Sequence, residues 1–214
     1  ENNNIGLIRM MKLYNNAQSR GMTLFPLLKE LGIAEQIDQI QIAYEDMHKA
    51  DYLNINPMGK VPCLVDQGIV ISETAAIFTY LADKYIEKGL APALDDPKRG
   101  AYLKWMFFCH GPLTEYMDLR SLEVSNERIE QKKRGLAFGD QETLFAFLKQ
   151  GMQQANPYLL GEKISAADLY LGYWLVFAIA FKILPYLDEF KPFLELIKQR
   201  DSMKDVVWFQ KLNG

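Results

Sequence analysis

Apolar and polar positions change rhythm along this chain, and the changes mark its elements. Met11-Lys12-Leu13-Tyr14 reads as a first strand, followed by the polar turn Asn15-Asn16-Ala17-Gln18-Ser19-Arg20-Gly21 and an apolar helix that runs through Leu31 and stops at Gly32. Ile40 and Ile42 alternate with Gln41 and Ala43, which predicts a second strand there. Cys63-Leu64-Val65 and Ile69-Val70-Ile71 predict two more strands, and Asp66-Gln67-Gly68 between them has the Asp and Gly of a tight hairpin. The last strand leads into Glu73–Leu81, which has helical periodicity. The predicted order is therefore strand, helix, strand, short helical segment, two strands, helix.

Gly89, Pro92, Asp95, Asp96 and Pro97 then break the periodicity, and beyond them the pattern is helical almost to the end. Tyr102, Trp105, Met106, Phe108 and Cys109 recur at helical spacing, as do Leu144, Phe145, Phe147 and Leu148; such stripes are core packing in the main. Ser165-Ala166-Ala167-Asp168 fits a capping box, with a folding role rather than a catalytic one. The expected fold class is α/β plus all-α, with four spans. Residues 1–10 are an extension or a cloning remnant, 11–88 the α/β domain, 89–97 a linker, and 98–214 an all-helical C-terminal domain.

At 214 residues the chain has ample length for a hydrophobic core in one or two domains. A net charge of −3 without a basic cluster argues against nucleic acid or an anionic membrane as partner. The longest apolar stretch, around Leu169–Leu184, is interrupted by Lys182, and the first residues lack the order of a secretory signal, so a cytoplasmic protein is expected. Two cysteines, Cys63 and Cys109, and two histidines do not make a disulfide framework or a metal cluster, so no metal is expected.

The junction Asn56-Pro57-Met58-Gly59-Lys60-Val61-Pro62, followed by two strands and Ser72-Glu73-Thr74, carries chemistry. X-Pro is the peptide in which the cis form costs little. A cis Val61-Pro62 would turn the Val61 N–H and C=O outward, where an extended peptide pairs with them as an added strand. A helix starting at Glu73-Thr74 offers free N–H groups and a positive dipole end to a carboxylate, the Thr74 hydroxyl adds a hydrogen bond, and Glu73 holds an ammonium group. An α-amino acid head group fits both. Taken singly, Pro62 is a strand-entry device and Ser72 a helix cap.

Together, NPMGKVP, two short strands and SETAAIFTYLADKY resemble the glutathione-binding half of soluble glutathione transferases, over nearly the whole chain and with a bacterial theta/beta-like character. The resemblance implies a thioredoxin-like N-terminal domain, glutathione as co-substrate, and a symmetric homodimer. It also implies that Val61 before the cis-proline Pro62 binds the cysteinyl backbone. Glu73-Thr74, where the family has Glu-Ser, would hold the γ-glutamyl group. Lys60 and His48 are candidate cations for the glycine carboxylate, each with a solvated-surface alternative, and Arg20 either reaches the ligand or pairs within its helix.

Conjugation needs the thiol as thiolate, because a free thiol with a pKa of about 8.5 is mostly protonated at neutral pH. Relatives that work by thiol–disulfide exchange carry a cysteine in the first turn; this chain has none there. Bacterial relatives resemble Ser-Pro-x-Ser-Arg in this turn, and here Asn16 stands at the first serine while Ser19 keeps the second. Ser19 is the first candidate for the thiolate partner, Asn16 the second and Tyr14 the third, although Ser19 reads equally as a helix cap. Phe107, His110, Leu113 and Tyr116 are the candidate side chains for an electrophilic, partly apolar small molecule. The function implied is thiolate attack on that electrophile. The alternatives are a non-catalytic module of the same fold that binds protein partners, as the elongation-factor gamma subunit does, or a glutathione-dependent isomerase, whose Ser-Ser-Cys-like turn is missing.

Overall fold

The structure, a computed structural model, describes residues 10–213, so the expectation for the first nine residues lies outside the described residues. The chain divides into two compact units at Phe78–Thr79.

The first unit is built on a four-stranded mixed sheet in the order β2-β1-β3-β4. Strand β1 (Met11–Asn15) is followed by helix α1 (Leu24–Leu31) and strand β2 (Ile37–Gln41), and α1 is part of the crossover that a parallel β1–β2 pair requires. Leu24, Leu27, Leu28 and Leu31 repeat at helical spacing and are wholly buried, which is what holds this short helix in place. After Gly32, in the left-handed conformation, the Gly32 and Ile33 N–H groups bond back to Lys29 and Leu28 and close the helix.

Strand β2 starts and ends earlier than its alternation suggests. It pairs Ile37 with Met11 through Gln41 with Asn15, and as an edge strand it buries only Ile37 fully. Ile42 leaves the sheet, although its N–H still reaches the Asn15 carbonyl at 2.8 Å, and its side chain packs against a cluster of Met47, Tyr52 and Cys63.

Helix α2 (Ala50–Leu53) precedes strands β3 (Cys63–Asp66) and β4 (Ile69–Ser72), which form an antiparallel hairpin. Its turn residues Gln67 and Gly68 have φ of 51° and 85°, as a primed two-residue turn requires. Tyr14 pairs with Cys63 and Cys63 with Ser72, so these residues share a face, which Tyr52 and Met47 cover. Leu13 and Leu64, on the opposite face, are fully buried. Helix α3 (Thr74–Lys84) begins in this unit and ends in the next.

In the second unit, α4 (Arg99–Phe108), a π-helical turn at Cys109–Leu113 and α5 (Thr114–Ser121) run on without a break. Shorter α6 (Asn126–Lys132) is capped by Ser125, and α7 (Gln141–Gln154) by Asp140, whose carboxylate accepts the Thr143 N–H at 2.8 Å. Helix α8 (Ala166–Ala180) is buried almost all round, which marks it as the centre of this unit, and α9 (Lys191–Lys198) packs Ile197 against Gly172 of α8. Asp168 closes the expected box: it accepts the Ser165 N–H at 2.8 Å and the Ser165 hydroxyl at 2.6 Å, and also the Leu159 N–H at 2.8 Å. Arg99 clamps Asp83 through two bonds of 2.7 Å and reaches the Pro92 carbonyl at 2.9 Å, tying the end of α3 to the segment before α4.

Candidate glutathione site

Three neighbouring strands reach one end of the sheet where Tyr14, Cys63 and Ser72 lie side by side. The next residues along them are Asn15, Pro62 and Glu73. The candidate site is assembled from this row and the loops that leave it.

The Val61–Pro62 peptide is cis. Pro62 is buried and Val61 half-buried, packed on the Tyr52–Cys63 cluster. No hydrogen bond among the described residues engages the Val61 main chain, so its N–H and C=O remain for an incoming strand. What holds Val61 there is the residue before it: the Lys60 carbonyl accepts the Tyr52 hydroxyl at 2.6 Å and the Asn56 amide at 2.8 Å. Asn56 is itself buried, and its side-chain oxygen takes the Met58 N–H at 3.2 Å, so this one amide shapes the whole Asn56–Lys60 turn. Gly59, at φ of 61°, lies so close to the His48 ring that a Cβ would come within 2.8 Å of its Nδ1. His48 and the Lys60 side chain are both exposed, and the Gly59 contact sets His48 against the segment that presents Val61.

Glu73 is exposed and takes φ of 70°, a left-handed backbone that costs a non-glycine residue about 1 kcal/mol or more. Its carbonyl accepts the Ile77 N–H at 3.0 Å, so Glu73 is the residue that caps α3, and Thr74 is the buried first residue of the helix. Ser72 is not the cap: it closes β4 opposite Cys63.

The first turn is tightly hydrogen-bonded. Ser19 heads a 3-10 helix, Arg20–Thr23, and accepts the Gly21 N–H at 3.1 Å while its own hydroxyl donates to the Asn15 side-chain oxygen at 3.0 Å. The Asn16 amide donates to the Ile42 carbonyl at 2.8 Å and its oxygen accepts the Gln18 N–H at 2.8 Å, so Asn16 fastens the turn to the end of β2. Arg20 is exposed. Tyr14 lies with its ring 5.8 Å from that of Tyr52, in the cluster beneath Val61.

Neither cysteine is a nucleophile. Burial pushes the Cys63 thiol up to about 11, and burial together with nearby Asp168 pushes Cys109 higher still, so both stay protonated at neutral pH. Burial likewise raises the Tyr52 hydroxyl to about 12, which keeps it a donor to the Lys60 carbonyl. Among the described residues no group of three or more His, Cys, Asp or Glu could hold a metal ion, and no helix is long and apolar enough to cross a membrane.

The candidates for the electrophile separate. Phe107 is exposed and His110 half-buried. Leu113 and Tyr116 are core residues, fully or almost fully buried; Tyr116 packs edge-on against Phe138 and Phe145 and donates to Gln141 at 3.0 Å. The expectation that these two face a cleft is overturned by their burial, Leu113 at 0% and Tyr116 at 1% exposure. The buried stripe is Tyr102, Met106, Cys109, Leu113 and Tyr116.

Comparison with known proteins agrees with this architecture. A family model for the glutathione S-transferase N-terminal domain matches residues 23–84. Glutathione S-transferase hmp2 of Hypomyces subiculosus is 30% identical over 75% of this chain and 79% of its own length. The chain belongs to the glutathione S-transferase family. Another member, glutathione S-transferase Z1 of Arabidopsis thaliana, is 29% identical over 84% of this chain and 80% of that protein. Among solved structures, a glutathione transferase from Methylococcus capsulatus superposes with a TM-score of 0.75 at 25% identity, over 95% of this chain and all of the other. The bacterial transferase BphK, solved as a ternary complex, gives 0.72 at 26% identity, over 94% and 98% of the two chains. The transferase fold, a thioredoxin-like sheet followed by a helical region, is thus shared across the chain.

Three residues of this transferase site escape sequence reading: Asn15, Tyr52 and Asn56. An Asn-Pro pair is a turn signal that marks Asn56, but the partners that give the three their roles, Ser19 and the Lys60 carbonyl, are visible only in the fold.

Proposed function

We propose that this chain conjugates the glutathione thiolate to an electrophilic, partly apolar small molecule. The observation that carries the reading is the outward Val61 main chain before cis-Pro62, set beside the head of α3 at Glu73–Thr74. In this reading residues 11–88 bind glutathione, 89–97 link, and 98–214 carry the electrophile. Val61 pairs with the cysteinyl backbone, Thr74 and the N–H groups that open α3 take the α-carboxylate, and Glu73 takes the α-ammonium. His48 and Lys60, with Arg20 from the turn, supply positive charge toward the glycine carboxylate. Ser19 is the partner of the sulfur, with Asn16, whose amide also fastens the turn to the Ile42 carbonyl, second.

The reaction follows from these positions. The thiol gives its proton to solvent, the thiolate attacks an electrophilic carbon, a C–S bond forms, and the displaced electron pair leaves with the leaving group or moves onto an activated double bond. The protein supplies orientation and hydrogen bonds to the anion rather than a covalent step. Phe107 and His110 are the candidates to face the electrophile. The finer placement is a bacterial theta/beta-like, serine-type member, cytoplasmic, where glutathione is kept reduced, and homodimeric.

Retention on immobilised glutathione, together with thiolate absorbance of the bound ligand near neutral pH and turnover of an activated aryl halide, tests this. No binding at millimolar glutathione sinks the proposal. Ser19→Ala is expected to raise the bound thiol pKa by about half to one unit, the worth of one hydrogen bond. If neither Ser19→Ala nor Asn16→Ala alters thiol pKa or turnover, the donor assignment is wrong.

A further inference from the structure

Asn15, at the sheet end, has no task in the proposed chemistry. It is 1% exposed, at the end of the central strand and on the face of Leu13 rather than of Tyr14. Its side-chain oxygen accepts two hydrogen bonds, from the Asn16 N–H at 2.9 Å and from the Ser19 hydroxyl at 3.0 Å. Its side-chain nitrogen is buried and has no partner among the described residues. The main-chain donor from Asn16 fixes which way the amide points: oxygen faces Ser19, so Ser19 must be the donor of that pair. The turn is built around this carboxamide, because a Cβ on Gly21 would overlap it. A buried donor left unmade is costly, so whatever offsets that cost comes from the two contacts of the oxygen.

The consequence lies in the Ser19 hydroxyl. It has one proton, held by Asn15, and one of its lone pairs is taken by the Gly21 N–H. What it can turn to a neighbouring sulfur is a lone pair, which favours the protonated thiol. To favour the thiolate, the proton must leave Asn15.

We propose that Asn15 is a positioning residue that sets how readily the bound thiol ionises, by competing with the sulfur for the Ser19 hydroxyl proton. This rests on the glutathione reading above and extends it to a residue that does not itself touch the ligand. The competition amounts to one neutral hydrogen bond, so removing the Asn15 acceptor lowers the bound thiol pKa by about half to one unit. The ionisable residues on the neighbouring stretches include Arg20 beside Ser19, Glu73 at the head of α3, and Glu45, Asp46, His48, Lys49, Asp51 and Lys60 in the segment before β3; a neutral substitution at Asn15 leaves them all in place.

The test is thiolate absorbance of bound glutathione against pH. Asn15→Leu, close in size and without an acceptor, is expected to shift the pKa down by about half to one unit. Asn15→Asp, a stronger acceptor with a negative charge, is expected to shift it up. On a Ser19→Ala background the Asn15→Leu shift disappears. A purely structural role would instead move both variants in the same direction, or leave the Asn15→Leu shift in place without Ser19; either outcome, or no shift in Asn15→Leu, overturns the proposal. Should circular dichroism show Asn15→Leu unfolded, Asn15→Ala removes the same acceptor and is read in its place. Wild-type protein that is not retained on glutathione overturns both this proposal and the reading beneath it. Retention and ionisation that ignore Asn15 overturn this proposal alone.

Discussion

Replacing Asp168 by alanine is expected to cost the second unit a large share of its stability. The carboxylate accepts three donors, from Leu159 N at 2.8 Å, Ser165 N at 2.8 Å and Ser165 Oγ at 2.6 Å, at a position fully shielded from solvent. Alanine strands all three, and each buried donor left unmade costs about 1–3 kcal/mol, so the sum is roughly 3–9 kcal/mol against a typical total of about 5–15. Asparagine keeps one oxygen and should cost less.

Its cost should also depend on pH. Burial pushes the Asp168 carboxyl up to about 6, with the hydrogen bonds from Leu159 and Ser165 opposing. A carboxyl raised above its unfolded value binds its proton more tightly in the folded state. The wild type therefore loses stability as pH rises from about 4 through about 6, by up to about 3 kcal/mol. Asparagine stays neutral and lacks this slope, so Asp168→Asn should be less destabilising at pH 7 than at pH 4.5. Urea denaturation followed by far-ultraviolet circular dichroism at both pH values measures this. A cost below about 1 kcal/mol for Asp168→Ala, or a larger cost for Asp168→Asn at pH 7 than at pH 4.5, refutes the reasoning.

Arg99→Lys should lower stability by about 1–2 kcal/mol in the same denaturation assay, since an ammonium keeps the charge but cannot fork to both Asp83 oxygens. Gly21→Ala should lower the melting temperature by an amount equivalent to about 1–3 kcal/mol, because its Cβ must displace the Asn15 carboxamide. Glu73→Gly should keep stability within about 1 kcal/mol, as glycine accepts the left-handed backbone freely, while glutathione affinity by calorimetry falls about tenfold or more. Cys63 and Cys109 should resist a thiol reagent at pH 7 in the native protein and react, two per chain, in urea.

Much of the fold was legible where local chemistry decides it. The end of α1 at Gly32, the Gln67–Gly68 hairpin and the Ser165–Asp168 box are each settled within a few residues, and the sequence carries their signals. The end of strand β2 is hidden in the sequence because Ile42 continues the alternation after the chain has left the sheet; its side chain answers to Tyr52, not to the strand period. The burial of Leu113 and Tyr116 is not legible locally, because the π turn at Cys109–Leu113 shifts the helix phase and only the packing of Tyr116 on Phe138 and Phe145 settles which side is inside. Val61–Pro62 and Glu73–Thr74 stood out because a proline and a helix start have intrinsic chemistry. Asn15, Tyr52 and Asn56 did not, because an asparagine or tyrosine acquires such a role only from a partner brought in by folding.

The wide turn at Cys109–Leu113 has a bearing on chain length. A π turn is an α-helix with one residue added, and here Pro112, which cannot donate a main-chain hydrogen bond, sits inside it while the Thr114 side-chain hydroxyl donates to the Cys109 carbonyl at 2.8 Å. A homologue one residue shorter at this point would carry a single straight helix. Everything beyond would then be turned by about 100° about the axis unless a compensating change restored the phase. A sequence alignment that slides a gap freely through this segment would thus exchange the buried and exposed faces of α5. The place of the gap is fixed by which residue must meet Phe138, and that residue is Tyr116.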